Sequence, residues 1–285
     1  MKIRLAIPNK GRIAEPINEL MTKSGIHVIS SGSRQLVSKT IDPEIEVLFV
    51  RPIDIPEYVS KGVADIGITG LDMVAERRAD VEAVLNLKFG TARLVIAVPE
   101  KSSVREISDM KGMKIATEFP NICEDFFKKN NTDVTIIEVS GACEAAPELG
   151  VADAIVDLTS SGTTLEINKL RIVAEILKSS TNVIVNRKAS AEKREKIEEI
   201  LLAFESVIAA KDRSYLMLNV SRSKLNEIKT LIPGLGGPTV MDIAGSDSVA
   251  VHAVVPSARI YQLINQLKRA GAHDLLVMDI TRMVR

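Results

Sequence analysis

Residues 144–165 read E-A-A-P-E-L-G-V-A-D-A-I-V-D-L-T-S-S-G-T-T-L. At the centre, Ala154-Ile155-Val156 is a short apolar run of the kind that forms a buried strand. Asp157 stands at its C-terminal end. Thr159, Ser160, Ser161, Gly162, Thr163 and Thr164 follow, a run of hydroxyls around one glycine, and Leu165 to Leu170 can start a helix. A strand, a hydroxyl-rich turn and a helix start make an anion site, because unpaired N–H groups and the helix dipole point at the ligand. An acid just before such a cradle predicts a ligand with both phosphate and sugar hydroxyls, accompanied by Mg²⁺. No Gly-Lys-Ser/Thr follows, so ATP hydrolysis on a Walker loop is disfavoured. With no lysine in the loop, backbone amides and hydroxyls must supply much of the cradle, and Mg²⁺ must offset pyrophosphate charge.

The same strand-then-helix pattern runs through the rest of the first 186 residues. Lys2–Ile7, Glu46–Val50, Ala64–Thr69, Arg93–Val98, Met113–Thr117 and Val134–Val139 read as strands. Helical spacing appears in Ile13, Ile17, Leu20 and Met21, closed by Gly25, then after Pro56, from Gly70-Leu71-Asp72, and around Cys123–Lys129. This alternation predicts an α/β protein with largely parallel sheets. There is also an internal echo: Gly62-Val63-Ala64-Asp65-Ile66-Gly67-Ile68-Thr69 matches Gly150-Val151-Ala152-Asp153-Ala154-Ile155-Val156-Asp157. Two readings stand, two ordinary α/β turns with common residues, or two similarly built lobes whose strand ends face one cleft. The second sets Thr69 opposite Asp157, at the strand ends where ligands of open α/β sheets bind.

Composition narrows the function. The 285 residues carry 37 basic and 37 acidic side chains, a formal charge of zero, which argues against a nucleic-acid or membrane-surface partner. No run approaches the ~20 apolar residues of a membrane helix. The N-terminus reads as a first strand rather than a signal peptide, and two cysteines fit a reducing compartment, so a cytoplasmic location is expected. His27, His252 and His273 lack ligand spacing, which disfavours zinc.

From residue 191 the character changes. Ala191–Ala210 is a long charged helix. Strand Tyr215–Val220, helix Lys224–Thr230, strands Thr239–Ile243 and Val249–Val255, helix Ala258–Ala270 and strand Leu275–Ile280 then spell β-α-β-β-α-β, a ferredoxin-like unit. Further candidates for ligand contact sit at strand ends. Lys10-Gly11-Arg12 and Arg51 are placed to grip phosphate or to be solvated loops. Thr69, Gly70 and Asp72 lie at another strand end, where Asp72 either caps its helix or binds ligand hydroxyls. Cys143 reads as a packed small residue rather than a nucleophile, since no histidine lies near it in sequence.

Taken together, these residues resemble the ATP phosphoribosyltransferase family, whose reaction is the first step of histidine biosynthesis. The family's signature of Glu, Gly-x-small, Asp and Ser/Thr-Gly-x-Thr-Leu stands here as Glu144, Gly150-Val151-Ala152, Asp157 and Ser161-Gly162-Thr163-Thr164-Leu165. The segments A-I-P-N-K-G-R, V-R-P-I-D-I-P-E-Y-V, A-D-I-G-I-T-G-L-D and P-G-L-G-G-P-T-V also look like that family, in order and over the full length. Asn9 and the Ser160-Ser161 pair are small departures. The resemblance implies a two-lobed, periplasmic-binding-protein-like catalytic core with a C-terminal ferredoxin-like regulatory domain, as in the family's long form. Lobe I would take 1–90 with 182–211, lobe II 91–181, and the regulatory domain 212–285. It implies transfer of phosphoribosyl from phosphoribosyl pyrophosphate to adenine N1 of ATP, with Mg²⁺. Asp157 and Thr159 to Thr164 would hold phosphoribosyl pyrophosphate, and Glu144 would orient the ribose or polarise the nucleophile. Lys10, Arg12, Arg51, Thr69, Gly70 and Asp72 would serve ATP or pyrophosphate. Histidine would inhibit through Leu235, Thr239 and Ala272, and the protein would be a dimeric or hexameric homo-oligomer. The same two-lobe pattern also suits a non-catalytic solute-binding protein, or a phosphoribosyltransferase with another acceptor base.

Overall fold

The computed structural model describes residues 2–29, 36–232 and 236–284. The chain forms two compact units, Met1–Leu201 and Leu202–Arg285. In the first, β1 (Ile3–Pro8), α1 (Ala14–Lys23), β2 (Val37–Lys39), β3 (Ile45–Val50), α2 (Ile55–Ser60), β4 (Ile66–Gly70), α3 (Leu71–Glu76) and β5 (Val81–Asn86) come first. Then follow β6 (Ala92–Pro99), β7 (Lys114–Thr117), α4 (Pro120–Lys129), β8 (Thr135–Glu138), β9 (Ala154–Thr159), α5 (Thr163–Ile167), β10 (Leu170–Ser179) and β11 (Thr181–Asn186). Helix α6 (Ala191–Ala210) spans the boundary between the units.

Two sheets organise the first unit, one ordered β2-β3-β1-β4-β11-β5 and the other β10-β6-β9-β7-β8. Both are mixed, not largely parallel. β1 pairs in parallel with β3 and β4, and β7 with β8 and β9, as strands joined by helical crossovers do. β6 and β11 carry the chain from one sheet to the other and back. They enter without a crossover helix and pair antiparallel with β9 and β10, and with β4 and β5.

The internal echo is structural. Asp65 and Asp153 each precede a strand and each lock the start of the parallel neighbour. The Asp65 carboxylate accepts the Arg4 N–H at 2.9 Å and its own N–H donates to Arg4 O at 2.9 Å. Asp153 does the same with Lys114, at 2.8 and 2.8 Å. The preceding Gly62 and Gly150 share φ +70°. Each sheet thus presents an equivalent strand end, at Thr69 and Asp157.

Helices α3 and α4 tie the two sheets together. The buried Glu76 carboxylate accepts the N–H groups of Asn121 and Ile122, both at 3.0 Å, at the open end of α4. Charge-assisted bonds to a helix start are worth about 1.5–3 kcal/mol each before the desolvation cost of the carboxylate. Met73 of α3 packs into the core of the second sheet with Leu94, Ile96, Phe119 and Phe127.

The second unit completes β12 (Arg213–Ser221), α7 (Leu225–Leu231), β13 (Thr239–Asp242), β14 (Ser248–Pro256), α8 (Ile260–Arg269) and β15 (His273–Asp279). Its antiparallel sheet is ordered β13-β14-β12-β15, the ferredoxin-like arrangement the sequence predicted. Strict alternation buries Leu216, Leu218, Val220, Val249, Val251 and Val255 against Ile228, Leu263 and Leu267 of the helices. Among the described residues, no helix is long and apolar enough to cross a membrane.

Candidate functional site

The 144–165 stretch folds as strand, tight turn and short helix. β9 ends at Thr159, and the chain turns through Ser160 and Ser161 to Gly162, which enters α5 at φ +88°, a conformation that favours glycine. The turn is braced by its own hydroxyls. Thr159 Oγ1 accepts the Gly162 N–H at 2.9 Å, and the Ser161 and Thr163 hydroxyls lie 2.9 Å apart. Helix α5 has only five residues, so its dipole is small. At this strand end the turn therefore offers amides and hydroxyls more than a helix dipole.

Asp157 is half-buried at the end of β9, and its Oδ1 accepts the Leu158 N–H at 2.7 Å. Its pKa rises from 3.8 to about 6, chiefly because burial disfavours the charged form. The Leu158 bond opposes this shift, and the charges of Glu144 and Glu118 add to it. Glu144 lies in a 3₁₀ turn, Cys143–Ala145, entered through Ala142 in the left-handed region at φ +50°. The buried Cys143 thiol pins this turn, donating to Ala116 O of β7 at 3.1 Å and lying 3.8 Å from Val156 O of β9. Burial, then Asp157, Glu118 and Glu144, push the Cys143 thiol far up, so it is a structural anchor and not a nucleophile. Glu118 was missed by the sequence reading. The available signal was its position as the residue directly after a predicted strand, the same position that drew attention to Arg51.

A cleft of about 270 Å³ opens between the strand ends. It is lined by Lys10, Gly11 and Arg12 after β1, by Gly70 at the end of β4, by Asp72 in α3, and by Leu158 beside Asp157. Arg12 crosses it. Its guanidinium donates to Ser160 Oγ at 2.6 Å and to Gly90 O at 3.5 Å, while the Ser160 hydroxyl donates to Thr91 O at 3.2 Å. The basic loop and the hydroxyl turn, 148 residues apart in sequence, are thereby brought together.

Other candidates fall differently. Thr69 is fully buried and its hydroxyl donates to Pro52 O at 3.0 Å, so it braces the Pro52 turn and does not line the cleft. Asp72 lines the cleft yet is tied to Ser179. The Ser179 hydroxyl donates to Asp72 Oδ1 and accepts the Asp72 N–H at 3.1 Å. A Cβ on Gly70 would stand 2.0 Å from Asp72 Oδ1, so this carboxylate needs glycine there. Arg51 is exposed and leads into the Pro52–Asp54 turn at the cleft edge. In the second unit, Thr239 is exposed at the start of β13, opposite His252. Ala272 is buried in the core, where its N–H donates to Leu267 O at 2.9 Å. Leu235 lies outside the described residues. Among the described residues, no three His, Cys, Asp or Glu side chains are grouped to hold a metal ion.

Residues 51–206 match the model of the ATP phosphoribosyltransferase family, and residues 210–282 match that family's C-terminal domain. The chain is 49% identical to the ATP phosphoribosyltransferase of Methanosarcina barkeri over 99% of both chains. It is 49% identical to that of Methanococcoides burtonii, again over 99% of both. Among solved structures, one chain of the ATP phosphoribosyl transferase (HisG:HisZ) complex from Thermotoga maritima aligns at a TM-score of 0.66 with 33% identity. That alignment covers 97% of the Thermotoga chain and 72% of this one.

Proposed function

The chain belongs to the ATP phosphoribosyltransferase family, and from that premise we propose that it transfers phosphoribosyl from phosphoribosyl pyrophosphate to adenine N1 of ATP. In this reaction the N1 lone pair forms a bond to the anomeric carbon. The bond from that carbon to the pyrophosphate oxygen breaks, and pyrophosphate leaves with the electron pair. The carrying observation is the bond from Arg12 to Ser160 Oγ, which draws a basic loop to a hydroxyl turn that begins two residues beyond a half-buried acid.

Asp157 accepts hydrogen bonds from the ribose hydroxyls. The turn from Thr159 to Thr164 holds the 5′-phosphate with amides and hydroxyls. Glu144, fixed by the Cys143 anchor, orients the ribose. Lys10, Arg12 and Arg51 neutralise the leaving pyrophosphate and the triphosphate. Asp72 serves the nucleotide by shaping the cleft wall. When bound with the substrate, Mg²⁺ would supply positive charge that, with Lys10, Arg12 and Arg51, offsets the charge of the leaving pyrophosphate. Positioning and charge stabilisation supply most of the acceleration, as expected for displacement at an anomeric carbon.

The reaction opens histidine biosynthesis in the cytoplasm, and the chain works as a dimer or hexamer. The second unit, ferredoxin-like and matched to the family's C-terminal domain, gives histidine its inhibitory site near Thr239. Asp157→Ala lowers kcat/KM for phosphoribosyl pyrophosphate by at least about a hundredfold, the scale of losing a charged contact to the transition state. An unchanged value would sink the assignment. Ending the chain after Ala210 leaves catalysis but removes histidine inhibition; inhibition that persists in a folded truncation refutes the regulatory reading.

A further inference from the structure

Glu118 has no part in the mechanism above. It is the first residue beyond β7, and β7 runs parallel to β9 with Thr117 opposite Val156. Glu118 and Asp157 are therefore equivalent neighbours at the C-terminal ends of adjacent parallel strands, the edge where ligands of such sheets collect. Gly141 approaches from another side, and a Cβ there would come within 3.9 Å of Glu118 Oε1. Three residues later stands Glu144, in the turn anchored by Cys143 to both strands. Three separate segments thus bring acidic side chains to the ends of two adjacent strands, where the charges of Glu144 and Glu118 both act on Asp157. Arg93 of β6 pairs in register with Thr159, and its guanidinium lies 3.5 Å from Glu175 of β10.

Crowded like charges are costly in the free protein. They become favourable where positive charge develops, and departure of pyrophosphate leaves the anomeric carbon and ring oxygen electron-poor. We propose that Glu118 is a third carboxylate of the phosphoribosyl site, supplying negative charge that stabilises the cationic sugar in the transition state and disfavours the polyanionic substrate in the ground state. The inference rests on the phosphoribosyl reading of this site and adds a residue to it. It predicts a split between rate and affinity: a structural role would weaken both, whereas an electrostatic role separates them.

The test is Glu118→Gln, with Glu118→Asp beside it and wild-type protein run in parallel. Glu118 is exposed, so both variants are expected to fold, which circular dichroism checks. The single-turnover rate of pyrophosphate release with saturating ATP should fall about five- to thirtyfold in Glu118→Gln. Calorimetry should show phosphoribosyl pyrophosphate bound as tightly as by wild type, or more tightly. The acidic limb of the rate profile should move to lower pH, because one charge that raises Asp157 is gone while Glu144 remains. Glu118→Asp should recover most of the rate. An unchanged rate, or rate and affinity lost together, overturns the proposal. If wild type itself releases no pyrophosphate, the phosphoribosyl reading fails instead.

Discussion

Replacing Asp157 with asparagine should make the free protein more stable while removing its activity. Asp157 titrates at about 6 in the folded chain against 3.8 as its ordinary value. A folded pKa above the unfolded one means the group contributes stability only while protonated. Below about pH 4 both states hold the proton and the wild-type chain carries no penalty. From about pH 4 to pH 6 the unfolded chain ionises first and stability falls, and above that the full penalty remains. The shift of about two units corresponds to about 3 kcal/mol, and partial exposure of the carboxyl reduces this to about 1–3 kcal/mol. Asparagine keeps an oxygen for the Leu158 N–H and carries no charge, so Asp157→Asn should recover that amount at neutral pH. For a unit of this size the gain appears as a rise of about 3–8 °C in Tm. Thermal melts of both proteins at pH 4 and pH 8 give the answer. The curves should nearly coincide at pH 4 and separate at pH 8, with the variant higher. A variant no more stable than wild type at pH 8, or a gap independent of pH, would refute the reasoning. Strain of this kind is expected where a site serves catalysis at the expense of stability.

Arg12→Ala removes the guanidinium that reaches Ser160 and should raise KM for phosphoribosyl pyrophosphate by about tenfold or more, the scale of a lost charge-assisted bond; equal KM in steady-state kinetics would show the contact to be idle. Gly162→Ala has room for its Cβ, with nothing within 4 Å, so only the left-handed backbone opposes it, at about 1–2 kcal/mol. Calorimetric melts should record that loss, and KM for phosphoribosyl pyrophosphate should rise while KM for ATP holds. Burial pushes the Cys123 thiol up to about 12 and raises Cys143 further, so both should resist a thiol reagent at pH 8 until the chain unfolds; rapid labelling of the native protein would contradict their structural role.

The sequence made the strand-turn-helix around Asp157 legible because each part has a local cause. The apolar run makes a strand, the hydroxyls brace a turn, and one glycine supplies the positive φ. The echo was equally legible, since Asp65 and Asp153 repeat one backbone lock with the same spacing. The ferredoxin-like unit was readable from strict two-residue alternation on β12 and β14. Strand β10 was not. Register shifts between Ile172 and Ala174 and between Glu175 and Leu177 break its alternation, so no period of two survives in Leu170–Ser179. β2 and β5 escaped because they lie at sheet edges, where only one flank is paired and burial leaves a weak pattern. In the site, the meeting of Arg12 with Ser160 depends on how two sheets come together, which no local pattern records. Thr69 shows the converse: its strand-end position was read correctly, but its hydroxyl turns to Pro52 O. Asp72 proved to be bound to Ser179, a partner 107 residues away.

The most direct test of the account is to mix the purified chain with ATP, phosphoribosyl pyrophosphate and Mg²⁺, and to follow pyrophosphate together with the ultraviolet absorbance of the adenine. The account predicts that both signals appear in equal amounts, only when both substrates are present, and that both vanish in Asp157→Ala. Tight binding of the two ligands by the wild-type chain with neither signal would contradict it and leave a binding protein in place of an enzyme.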